Sequence, residues 1–228
     1  MLSLTPKPCR LCSQLYSKFS QFLSRLFHRG VDCQGINRAA LDPLDQRAKK
    51  IQEAAPDCLC EKFRMSAHSP GVVSIQETLA RFVFSPLHLD RKGNVKPTLF
   101  DQVHSSGCSV QRDSIATTGE ITQFVSDFLS EAENRALLGV VSGKCHSVRD
   151  IRMGDRSERS VCVYDTAEAS NPAHAEMFCA RPISMNADRN ELRRHLWLAF
   201  TNGTIVPPSV YRGGAVLSSL PVELQRSA

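Results

Sequence analysis

Between residues 11 and 27 the apolar side chains Leu15, Phe19, Phe22, Leu23 and Leu26 recur every three or four positions, with Lys18 and Arg25 off that line. At 3.6 residues per turn this spacing gathers them on one stripe, so the chain is expected to open with an amphipathic helix. Such a stripe can dock on a core, fill a partner's groove, make peripheral contact with a membrane surface or serve as an organelle or secretion address. Residues 30–70 lose the pattern. Asp42-Pro43 begins a turn, Gln46 to Ala54 reads as a short polar helix, and Ala55-Pro56-Asp57 breaks it. Ser69-Pro70-Gly71 is the next break, which divides the chain into a basic helix with a loosely organised extension over 1–70 and a principal domain over 71–228.

Within that domain the periodicities alternate. Residues 72–84 carry Ile75, Leu79 and Phe82 among β-prone neighbours and read as either helix or strand, and Gly93-Asn94 marks a turn. Ile121, Phe124, Val125, Phe128, Leu129, Ala132 and Leu137 follow helical spacing. Thr117 with Glu120 three residues on forms a capping box, and Gly139 is the expected stop. Val161, Val163 and Tyr164 favour a strand over 160–165. Asp188 and Glu191 precede a second helical run through Leu192, His195, Leu196, Ala199 and Phe200; Asn202-Gly203 ends it, and Thr204 to Val206 enters a strand. This mixture of helices and short strands predicts a compact α+β domain preceded by an N-terminal amphipathic helical extension.

The 228 residues are 42% hydrophobic and 22% charged, a globular balance in a chain long enough to bury a core without a disulfide scaffold. No apolar run approaches the roughly 20 residues of a membrane-spanning helix, and without a charged head followed by a long apolar run and a small-residue cleavage site at its start the chain is expected to carry no secretory leader. The net charge of +5 allows nucleic acid or an anionic surface as partner without selecting either. Arg189, Arg193 and Arg194 supply phosphate contacts, but no nucleic-acid motif accompanies them, so the expected partner is a small molecule or a protein. Nine cysteines argue against a fully paired monomer and point to the cytoplasm or another reducing compartment.

The chemistry concentrates in two stretches. Val103 to Asp113 contains His104, Gly107, Cys108, Gln111 and Arg112, where a glycine turn would expose the Cys108 thiol and Gln111, Arg112 and His104 would bind an anionic or carbonyl substrate. Asn171 to Glu176 contains His174 and Glu176, which share a face if the segment is extended and lie about 200 degrees apart on a helix. The leading expectation is a thiol-dependent hydrolase or acyl transferase. Cys108 is its nucleophile, His174 its base, and Glu176 or Asn171 the orienting group. The alternative is a noncatalytic protein-interaction module. Neither needs a cofactor.

Zinc is the alternative cofactor. Cys108, Cys145, His146, His174 and Cys179 are donors of the right kind, as are Cys9, Cys12, Cys33, Cys58 and Cys60. The segment His174-Ala175-Glu176 resembles the opening of the zinc-dependent deaminase motif, which would make His174 a ligand and Glu176 a proton shuttle; the Pro-Cys-x-x-Cys half of that motif is missing. His88-Leu89-Asp90 supplies two members of a histidine–carboxylate iron triad with no assignable third.

Overall fold

In the computed structural model, residues 31–154, 157–200, 204–208 and 210–211 are described. The chain divides into two units, Met1–Asp32 and Cys33–Ala228, and every helix and strand named below belongs to the second. The expected amphipathic helix over 11–27, the Cys9/Cys12 pair and the Asn202-Gly203 stop lie outside the described residues.

The domain is α+β, with a helix close to its start. Helices α1 (Cys33–Ala39) and α2 (Arg47–Ala54) come first. A 3-10 segment, Pro56–Lys62, follows where Pro56 breaks the helix. Five strands then form one antiparallel sheet: β1 (Thr78–Ser85), β2 (Cys108–Arg112), β3 (Ala136–Lys144), β4 (Val161–Asp165) and β5 (His174–Cys179), in the order β3-β1-β2-β5-β4. Between them lie a second 3-10 segment, Pro97–His104, and the helices α3 (Thr118–Ser130) and α4 (Cys145–Arg149); α5 (Asn186–Ala199) follows β5.

Residues 78–85 resolve as a strand because apolar side chains are needed on both faces of it. Leu79 and Val83 enter one core with Val110, Val163, Met177 and the α5 residues Leu192 and Leu196. Ala80, Phe82 and Phe84 enter the other with Ile121, Val125 and Leu129 of α3. Each of the valine, leucine, isoleucine, methionine and phenylalanine side chains among these contributes roughly 1.5–3 kcal/mol of transfer free energy. Helix α3 begins as the capping box requires: the Glu120 N–H donates to Thr117 Oγ1, and the Thr117 N–H donates to Glu120 Oε2 at 2.7 Å.

Helix α3 stops at Ser130, well before Gly139, so Leu137 belongs to a strand and not to the helix expected from its spacing. Gly139 sits within β3 at φ 153, where a Cβ would lie 2.4 Å from the Val206 carbonyl oxygen. Its role is to let residues 204–206 approach: Val206 exchanges two backbone hydrogen bonds with Val140 in an isolated bridge. Helix α5 starts at Asn186 with Met185 as its N-cap and no side-chain cap, ahead of the Asp188/Glu191 pair.

The segment before residue 71 is tied to the sheet covalently. Cys33 is bonded to Cys60 and Cys58 to Cys162 of β4. These four sulfurs are therefore disulfides, where the sequence suggested free thiols or zinc ligands. The second bond reaches a partner 104 positions away, which no local spacing could announce. Among the described residues no helix is long and apolar enough to cross a membrane.

Candidate functional site

The register of β2 against β5 decides which of the expected site residues can meet. Ser109 stands opposite Glu176 and Gln111 opposite His174, while Cys108 stands opposite Met177. Side chains alternate along a strand and directly opposed residues share a face. Gln111, His174 and Glu176 are therefore on one face, and Cys108 and Arg112 on the other. The extended conformation that lets His174 and Glu176 face the same side is present, but it separates both from the thiol.

Cys108 is fully buried among Leu99, Val103 and Met177, and its sulfur lies 3.9 Å from the Leu99 carbonyl oxygen. Burial pushes its thiol pKa up; the nearby Arg81 opposes this and Glu176 adds to it. A thiol held protonated is a poor nucleophile. Gly107 does make the expected turn, at φ 95, yet the turn brings the backbone inward: a Cβ there would lie 2.5 Å from the Phe178 ring. The turn buries Cys108 and does not display it. Cys145 and Cys179 are likewise buried, with pKa values pushed up to about 11 by burial.

The other candidates are engaged in holding the fold. Glu176 pairs with Arg47 at 2.5 Å, His174 Nδ1 lies 3.1 Å from Thr166 Oγ1, and the Asn171 carbonyl accepts from the His174 N–H. Arg112 grips Glu77 through two donors, at 2.7 and 2.8 Å, and lies 3.5 Å from Asp165. Burial works to raise the Glu77 pKa, but the Arg112 hydrogen bond and other favourable contacts outweigh it and hold the carboxyl below its ordinary value. Asp165 goes the other way: burial outweighs Arg112 and raises it to about 6. His104 sits 3.8 Å from Asp101, with its pKa lowered by burial and by Arg189 and Arg193.

The metal expectations fare differently by residue. Cys33, Cys58 and Cys60 are bonded to sulfur and offer no thiolate. Among the described residues no group of three or more His, Cys, Asp and Glu side chains is arranged to hold a metal ion. Among the described residues the deaminase-like His174-Ala175-Glu176 therefore belongs to no metal-holding group. Asp90 is spent on a turn, accepting from the Lys92 and Asn94 N–H groups. Of the basic helix face, Arg193 is bonded to Asp101 and Arg189 to the Ile183 carbonyl.

An accessible concavity lies elsewhere, where β1 and β2 part. Their ladder contains only Leu79–Arg112 and Ala80–Gln111. Beyond it, Arg81 spans the gap with its side chain, donating to the Ser109 carbonyl at 2.7 Å and the Leu99 carbonyl at 3.2 Å. A cavity of about 430 Å³ opens there. Its apolar wall is Phe82 and Phe84 of β1 with Phe124 and Phe128 of α3, and the Phe84 and Phe128 ring centroids are 4.2 Å apart. Its polar wall includes Arg81, His88, Ser109 and Gln111.

His88 is buried and accepts the Phe84 N–H on Nδ1 at 3.0 Å, which leaves its proton on Nε2. Burial, then the charges of Arg81, Lys96 and Arg135, lowers its pKa to about 3, so the ring is neutral. Of the residues lining this cleft, the sequence pointed to Gln111 as a substrate contact and to His88 as a metal ligand. The missed signal is Arg81 itself, a lone charge within the apolar run Leu79-Ala80-Arg81-Phe82-Val83-Phe84. No protein family, curated protein or solved structure matches the chain.

Proposed function

We propose that this domain is a noncatalytic binding module whose ligand is a small molecule with an apolar, flat body, held in the cleft between β1 and β2. The observation that carries the reading is the cleft itself. Its volume of about 430 Å³ falls in the range typical of small-molecule sites, and its aromatic wall with a few polar groups is the composition such sites use. The strands separate without a backbone ladder to fill the space, and the gap is held open by Arg81 in place of strand pairing.

A thiol-dependent hydrolase or transferase has weaker support. Its proposed nucleophile and base project from opposite faces of one sheet, and bringing them together would require a strand to change register. The two disulfides favour an oxidising setting for the folded domain over the reducing compartment expected from the odd cysteine count.

The test is titration of the isotopically labelled full chain with indole, followed by backbone amide shifts. The expected result is saturable change concentrated at Phe82, Ser109, Gln111 and Phe124. Leu87→Trp, at an exposed position on the rim, should weaken it by partly closing the opening. Absence of saturable shifts at the cleft would overturn the reading.

A further inference from the structure

The arginines packed about the sheet divide into two kinds. Arg47 pairs with Glu176, Arg112 with Glu77 and Asp165, and Arg149 and Arg159 with Glu61. Arg81 has no carboxylate partner among the described residues. Its guanidinium donates to the Ser109 and Leu99 carbonyls and, at 3.4 Å, to Gln102 Oε1, all neutral acceptors. Carbonyl dipoles orient a guanidinium without neutralising it, so a positive charge is left facing a cavity that it lines.

The surroundings reinforce that charge. Lys96 joins Arg81 in depressing the His88 pKa, so its field reaches the same wall, while Arg135, which acts in the same direction, is itself paired with Glu131. The acid on the lining, Asp101, is bonded to Arg193 and lies near His104, so its charge is already offset. Gln111 adds a second feature: it is buried beside the cavity and its Nε2 has no hydrogen-bond partner. A buried donor left unpaired is destabilising, and the soft terminal torsion of a glutamine lets its amide turn toward an acceptor.

Resting on the reading of the cleft as a small-molecule site, we propose that its ligand is an amphipathic carboxylate: an aromatic or aliphatic body against Phe82, Phe84, Phe124 and Phe128, with the acid group on Arg81. A carboxylate supplies the charge that Arg81 lacks, and its two oxygens suit the planar guanidinium. The Nε2–H of neutral His88 is a further donor on the lining.

The experiment compares three matched probes on the full chain by calorimetry: 4-phenylbutyrate, 4-phenylbutyramide and 4-phenylbutanol. The carboxylate should bind about tenfold or more tighter than either neutral analogue, as expected for a charge-assisted contact in a partly enclosed site. Its affinity alone should fall as salt is raised. Arg81→Gln should abolish the preference and Arg81→Lys should retain part of it; the salt series on the unmodified chain gives the same answer if either variant fails to fold. Equal binding of all three probes would overturn the charge assignment and leave the cleft as an apolar site. Binding of none would overturn both.

Discussion

At the scale of single residues, the buried ion pairs are the clearest case of side chains serving the fold where chemistry was expected of them. Arg112 reads in the sequence as a substrate anchor, and in the structure it holds Glu77 and faces Asp165. Asp165 is the uneasy member, since burial raises it to about 6. A carboxyl whose pKa is raised by folding prefers to be neutral in the fold. Its contribution to stability is full below its ordinary pKa of about 4 and is lost as the pH rises through about 6. Asp165→Asn should therefore gain stability relative to the parent between about pH 4.5 and pH 8. Urea midpoints of both proteins at the two pH values check it, and a constant difference between them would refute it. The comparison is needed because His88 and Glu77, with lowered values, contribute the opposite slope.

At the scale of elements, local signals are trustworthy where their physics is local. The Thr117/Glu120 capping box satisfies two otherwise orphaned N–H groups within one turn, so its two residues announce the start of α3 without help from the rest of the chain. Thr117→Ala should cost about 1 kcal/mol, read as a lowered urea midpoint with an unchanged slope. The end of the same helix is not legible in this way, because Leu137 keeps helical spacing while packing from a strand. Thr78–Ser85 is ambiguous for a related reason. A central strand with cores on both faces has no polar alternation to show, and Arg81 in its middle is the one residue whose polarity marks the cleft.

At the scale of the whole domain, the two disulfides connect segments that the sequence leaves unrelated. The Cys58–Cys162 bond closes a loop of 104 positions, and in the chain-entropy account a loop of that length is worth roughly 4–5 kcal/mol against the unfolded state. Alkylation of the denatured, unreduced protein should leave Cys33, Cys58, Cys60 and Cys162 unlabelled, and prior reduction should expose all four to the reagent. Peptide mass mapping distinguishes the outcomes. Labelling of these residues without reduction would remove the support for an oxidising setting and return the reducing compartment as the better proposal.

Periodicity and hydrogen bonding over a few residues are enough to establish the α+β class, the cap of α3 and a strand over 160–165, which forms at Val161–Asp165. They also state the condition for His174 and Glu176 to share a side, without saying whether it is met. That Cys108 faces away from His174, that Cys58 finds Cys162, and that β1 and β2 separate around Arg81 all come from strand register and from contacts between distant segments. A shift of one residue in register would reverse every face while leaving the local sequence pattern unchanged.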